Sequence, residues 1–169
     1  MATLTLASAY VVAPASAQAA TDWPMYHHDS ALTGVSESTA PDKFTVKWRY
    51  DCGMPVISSP AVVGGKVYIG SDDNNLYCLN AADGTLVWNY TTGGVVESSP
   101  AVDAGKVYVG SWDKNLYCLT TGGTLVWKYP TGGVVESSPN VVDGKVYFGS
   151  TDNYVYCLNA ATGTQLWNY

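Results

Sequence analysis

Cys78-Leu-Asn-Ala-Ala-Asp-Gly-Thr-Leu-Val-Trp88 returns as Cys118-Leu-Thr-Thr-Gly-Gly-Thr-Leu-Val-Trp127 and again as Cys157-Leu-Asn-Ala-Ala-Thr-Gly-Thr-Gln-Leu-Trp167. The middle copy is one residue shorter, so the repeat period is 40 and then 39. Other phrases keep the same period. Ser-Ser-Pro recurs at Ser58-Ser59-Pro60, Ser98-Ser99-Pro100 and Ser137-Ser138-Pro139, and Gly-Ser at Gly70-Ser71, Gly110-Ser111 and Gly149-Ser150. A tryptophan ends each unit, at Trp48, Trp88, Trp127 and Trp167. No segment shows a 3.6-residue apolar stripe, which excludes helical repeats of similar length. Units of this size built from short strands fit the blades of a β-propeller.

Each unit reads as four strands, in the first about Val56–Val63, Lys66–Ser71, Asn75–Asn80 and Leu86–Tyr90. Gly64-Gly65, Ala104-Gly105 and Asp143-Gly144 supply two-residue hairpins, which need positive φ. The next turns are Asp72-Asp73-Asn74, Trp112-Asp113-Lys114 and Thr151-Asp152-Asn153. Asp and Asn bond nearby backbone amides and tolerate left-handed φ, so Asp73, Asp113 and Asp152 read as turn formers rather than catalytic acids. The paired serines read as turn caps, with the following Pro placing the strand edge.

The eleven-residue phrase resembles the tryptophan-docking motif of the quinoprotein-type, PQQ-like repeat family, whose pattern is Ala-x-Asp-x-x-Thr-Gly-Lys-x-x-Trp. Cys stands here for the Ala, Asn or Thr for the Asp, and Thr for the Lys. The glycines Gly84, Gly123 and Gly163 and the tryptophans stand in place. Ser-Ser-Pro-Ala-Val and Lys-Val-Tyr-Ile-Gly-Ser also resemble that family, as does the segment Asp22-Trp23-Pro24-Met25-Tyr26-His27-His28-Asp29. The resemblance implies an all-β fold of four-stranded antiparallel blades and a docking role for Trp48, Trp88, Trp127 and Trp167, each packing on the neighbouring blade. The expected layout is a signal-peptide-like segment (1–20), a leader (21–44), one outer strand (45–50) and three blades (56–90, 95–129, 134–169). These would be an arc of a larger ring of about 7–8 blades.

Leu4–Ala20 carries no charge and offers Ala15-Ser16-Ala17 and Ala17-Gln18-Ala19 as cleavage sites, although no Lys or Arg precedes Lys43. That pattern predicts export to the periplasm, cell surface or medium. No uncharged run is long and unbroken enough to predict a membrane span. The net charge of −6 argues against nucleic acid as partner, since phosphate binding draws on basic patches. Cys78, Cys118 and Cys157 occupy equivalent places in successive units. A whole blade spacing exceeds the roughly 7 Å that a disulfide spans, so they read as small buried hydrophobes. Cys52, in a Gly-containing turn, is expected to be the exposed one. His27 and His28 are adjacent, and in an extended chain they would face opposite ways, against a shared metal.

The family resemblance raises a pyrroloquinoline quinone and calcium dehydrogenase. Its members have a vicinal Cys-Cys disulfide, a calcium site of acids and Asn, a catalytic Asp and a nearby Arg. This chain has no adjacent cysteines and one arginine, Arg49, so neither PQQ nor calcium is expected. Nor is there a Gly-x-Ser-x-Gly elbow, a Cys-x-x-Cys pair or a phosphate-cradling loop. Glu97 and Glu136 hold one repeat position, taken by Ile57 in the first unit, where blades converge on the central channel. They are the candidate binding residues, for a cation or a basic peptide. The expected function is an exported, non-catalytic module presenting loops to a protein or surface polymer, with self-association to complete a ring. The alternative is a piece of a PQQ-dependent oxidoreductase whose cofactor site lies in other blades. A scaffold for envelope assembly is a third reading, made without a lipid-attachment Cys after the apolar run.

Overall fold

The computed structural model describes residues 22–29, 31 and 46–169; the proposed export segment lies outside them. Among the described residues, twelve strands form three four-stranded antiparallel sheets, each in simple sequence order. The first blade is β1 (Ala61–Val63), β2 (Lys66–Gly70), β3 (Asn75–Asn80) and β4 (Leu86–Thr91). The second is β5 (Ala101–Asp103), β6 (Lys106–Ser111), β7 (Asn115–Thr120) and β8 (Leu125–Pro130). The third is β9 (Asn140–Val142), β10 (Lys145–Gly149), β11 (Val155–Asn159) and β12 (Gln165–Asn168). The first strands are shorter than expected, because Ser-Ser-Pro and the residues before it form a strap outside the ladder. β1 and β5, and β5 and β9, are the strands that approach one another between blades, so the first strands are innermost.

The turns follow the sequence logic. Gly64-Gly65, Ala104-Gly105 and Asp143-Gly144 all lie at positive φ, which matches the right-handed twist of the flanking strands. In each blade the third strand meets the fourth with Cys opposite Trp (Cys78 with Trp88, Cys118 with Trp127, Cys157 with Trp167), and a bulge follows at the next residue. The core lies between blades. Tyr68, Leu76, Cys78 and Val96 pack with Val102, Val107, Tyr117 and Leu119, and the next interface repeats the set with Tyr108, Leu116, Cys118 and Val135 against Val141, Val146, Tyr156 and Leu158. The second and third strands of the first two blades, β2, β3, β6 and β7, and β11 of the third bury most of their side chains on both faces, which is why they read as near-continuous apolar runs.

Of the expected outer strand at 45–50, the described residues 46–50 form no strand. Val46–Tyr50 joins none of the three sheets, yet Trp48 and Tyr50 pack on Ile69, Tyr77 and Leu79 as β4 and β8 pack on their neighbours. Side-chain packing and one hydrogen bond from the Trp48 indole to the Ala81 carbonyl hold it against the first blade.

Candidate interface at the inner strands

The tryptophans act forward, each on the next unit. Trp48 Nε1 donates to the Ala81 carbonyl at 3.0 Å, Trp88 Nε1 to that of Thr121 at 3.0 Å, and Trp127 Nε1 to that of Ala160 at 3.3 Å. Each indole lies over the glycine of the same turn. A Cβ on Gly84, Gly123 or Gly163 would come within 2.6, 2.8 and 2.6 Å of Trp48, Trp88 and Trp127, and all three glycines have positive φ. The rings are half-buried at the rim rather than interior, because β4 and β8 are the outermost strands and carry mostly exposed side chains. Trp167 is exposed.

The Ser-Ser-Pro strap does more than cap turns. The first serine accepts a strand N–H within its own blade, from Gly70 to Ser58 Oγ, Gly110 to Ser98 Oγ and Gly149 to Ser137 Oγ. The second bridges blades, since Ser59 N–H donates to Ser99 Oγ at 2.9 Å and Ser99 N–H to Ser138 Oγ at 3.2 Å. The exact repetition of the phrase was the signal available, but nothing in it says which partner lies one unit away.

Asp73, Asp113 and Asp152 close their turns as expected, accepting the N–H of Asn75, Asn115 and Tyr154. Each also accepts the hydroxyl of a buried tyrosine, Tyr77, Tyr117 or Tyr156, a link that sequence reasoning missed. Burial opposes ionisation of Asp113, but hydrogen bonds from Tyr117, Asn115 and the Gly93 N–H outweigh it and hold the carboxyl below its usual range. Burial and the Asp113 bond raise the Tyr117 hydroxyl.

All four cysteines are free thiols. Cys78, Cys118 and Cys157 are buried, and burial pushes the first two thiols up to about 11 and about 12. Cys52 is half-buried rather than exposed, lying against Ile69 and Tyr77, and burial with nearby Asp73 and Asp51 raises its thiol as well.

The leader lies along the inner edge of the blades. Trp23 exchanges both backbone bonds with Val62 of β1, and Val102 N–H of β5 donates to the Pro24 carbonyl at 2.7 Å. Met25 is buried in the core between the second and third blades. His27 and His28 are not extended as assumed: both sit in a turn at positive φ. Their rings still diverge, His27 onto Tyr26 and His28 onto Trp23. Trp23, Tyr26, His27 and Ser59 line a cavity of about 380 Å³.

Glu97 is half-buried and Glu136 exposed, each immediately before the Ser-Ser-Pro of its unit. Glu136 lines a second cavity, of about 430 Å³, with Val134, Ser137, Gly149, Ser150 and Thr151. Ile57, at the same position in the first unit, is exposed. Among the described residues no group of three or more His, Cys, Asp or Glu is placed to hold a metal.

The fold is shared with much larger proteins. The chain is similar to the crystal structure of BamB from Moraxella catarrhalis (21% identity, TM-score 0.64, covering 73% of this chain and 39% of that one). It is also similar to quinohemoprotein alcohol dehydrogenases from Pseudomonas putida HK5 (25%, TM-score 0.76, covering 89% and 26%) and Comamonas testosteroni (25%, TM-score 0.75, covering 88% and 27%). The chain therefore spans between about a quarter and two fifths of these structures' length. No curated protein sequence matches it significantly. The sequence profile of one family matches residues 39–97 and again 91–169, together most of the chain, and on that match the chain belongs to the family described as outer membrane protein assembly factor BamB.

Proposed function

We propose that this chain is an exported propeller module that binds protein or surface polymer through its loops, with no catalysis of its own. The observation that carries the reading is how the polar residues are used. Asp73, Asp113 and Asp152 accept turn amides and tyrosine hydroxyls, and the serines tie strand to strap and blade to blade. A catalytic acid or base needs a perturbed, accessible proton facing a substrate, and these groups are engaged by backbone groups and tyrosine hydroxyls of the fold itself. Glu97 and Glu136 accept no turn amide or tyrosine hydroxyl among the described residues, and each stands directly before the strap of its unit. They suit a basic peptide segment, with charge complementarity favouring encounter.

The residues present do not fit pyrroloquinoline quinone with calcium. Calcium takes about 6–8 oxygen ligands, whereas Glu97 and Glu136 belong to separate units and Arg49 is exposed on the segment before the first blade. The oxidoreductase reading stays as the second one, favoured by the 89% and 88% coverage of this chain by two quinohemoprotein dehydrogenases.

Titration with an oligolysine peptide tests the proposal. Saturable binding that weakens at least about tenfold in Glu97→Gln/Glu136→Gln, and that falls with salt, is expected. Equal binding by the double variant would remove the glutamates from the site. Saturable uptake of pyrroloquinoline quinone with calcium, accompanied by dye-linked alcohol oxidation, would overturn the non-catalytic reading.

A further inference from the structure

We propose that Asn89 is a glycosylation site of the exported chain, its carboxamide nitrogen taking an oligosaccharide from a polyisoprenyl diphosphate carrier. The inference rests on the export reading above, since Asn-x-Ser/Thr is an acceptor in secreted proteins.

Asn89-Tyr90-Thr91 has the acceptor spacing. From Asn74 to Asn159 no other asparagine has Ser or Thr two places on, so a glycan in that stretch has one address. The three residues lie on β4, the outermost strand of the first blade. Successive side chains of a strand point to opposite faces, so Asn89 and Thr91 share one face and Tyr90 takes the other. Tyr90 packs on Tyr117 of the second blade, with ring centroids 5.8 Å apart. Asn89 and Thr91 are exposed and meet at a single atom of β3. Asn89 Nδ2 donates to Asn75 Oδ1 at 3.2 Å, and the Thr91 hydroxyl donates to the same oxygen at 2.6 Å.

The exposure belongs to the blade itself. The second blade is flanked on both sides, and there β8 repeats the exposure pattern of β4 residue for residue. Lys128, at the position of Asn89, is exposed in that flanked blade. A substituent on this position therefore leaves into solvent rather than into a neighbouring blade.

The chemistry is a substitution without redox change. A bond forms between Nδ2 and C1 of the sugar, and the C1–O bond to the diphosphate breaks. The diphosphate leaves with the electron pair, and Nδ2 gives one of its two protons to a base of the transferase. The remaining N–H still faces Asn75 Oδ1, so the modified strand keeps its cross-strand bond. Val87, two residues earlier on the same face, is 47% exposed, and an outer strand offers an open edge to other chains. A bulky polar glycan covers both. It stands on the outer rim, away from Glu97 and Glu136 at the straps.

The test is expression of the full chain with its own leader in a eukaryotic secretory host, followed by N-terminal sequencing and glycopeptide mass analysis. The secreted protein should start after the leader and carry a glycan on Asn89 that peptide-N-glycosidase removes, converting the asparagine to aspartate. The glycan should be absent from Asn89→Gln and Thr91→Ala and retained in Thr91→Ser. All three variants should be secreted like wild type, since neither side chain is packed. A processed, secreted chain with bare Asn89 would overturn this inference and leave the export reading standing. A glycan that persists in Asn89→Gln would overturn it as well. A chain kept in the cell with Met1 intact would overturn the export reading and this inference together.

Discussion

At the scale of single residues, the repeats act as internal controls. Asn74, Lys114 and Asn153 occupy one turn position, at φ 72°, 70° and 75°. Asn visits this region at little cost, while a longer side chain pays about 1 kcal/mol there. The Lys114 side chain is exposed and makes no hydrogen bond or ion pair among the described residues, so Lys114→Asn should stabilise the protein by about 0.5–1 kcal/mol. Urea unfolding should show a higher midpoint at unchanged slope; a lower midpoint would mean the lysine is used. The carboxylates give a second control. Asp113 has its folded-state ionisation lowered, so its stabilising contribution is complete above the unfolded-state value, near pH 4, and is lost as pH falls through the folded-state value. Asp113→Asn should flatten the acid limb of the stability profile below about pH 4 relative to wild type. A profile with the same acid slope would show that the Tyr117–Asp113 bond carries no ionisation linkage.

Between elements, stability is concentrated where one blade meets the next. Trp127 reaches the Gly163 turn of the third blade both by packing and through its indole N–H. Being half-buried, it should contribute less than a fully buried tryptophan, and Trp127→Ala should cost about 2–3 kcal/mol. Trp127→Phe keeps a ring over Gly163 and loses the bond to Ala160, so it should cost roughly 1 kcal/mol. Equal losses for the two would assign the whole effect to the hydrogen bond. The repeat length, the strands, the hairpins and the turn aspartates were all legible, because each depends on residues close in sequence. The blade-crossing bonds were not. Ser59 meets Ser99 one period away, and a repeated serine looks the same whether it bonds within its unit or beyond it. The segment at 45–50 has the sequence of a fourth strand, but a strand exists only where a partner offers a ladder, and its described residues, 46–50, join none of the three sheets.

Across the whole molecule, the arc is stitched along its inner edge by a short piece of chain whose periodicity announced nothing. Glu97 and Glu136 were found because they recur at one repeat position, held by Ile57 in the first unit, whereas Asp22–Asp29 occurs once and gives no internal comparison. Its role rests on placement. Trp23 pairs with Val62 in the first blade, Pro24 accepts the Val102 N–H in the second, and Met25 enters the core shared by the second and third. Three backbone groups of innermost strands thus gain partners, and a flexible thioether fills the gap left where two sheets converge. Met25 is 5% exposed, so Met25→Ala should cost about 2–4 kcal/mol, at the level of other core truncations. Met25→Leu, close in volume, should cost less than about 1.5 kcal/mol. Because the leader touches all three blades, the alanine variant should lower the midpoint of the whole transition and also open the leader to proteolysis under native conditions. Should Met25→Ala cleave no faster and unfold at the wild-type midpoint, the leader would merely rest on the inner strands, and the blades would hold their arc by their mutual faces alone.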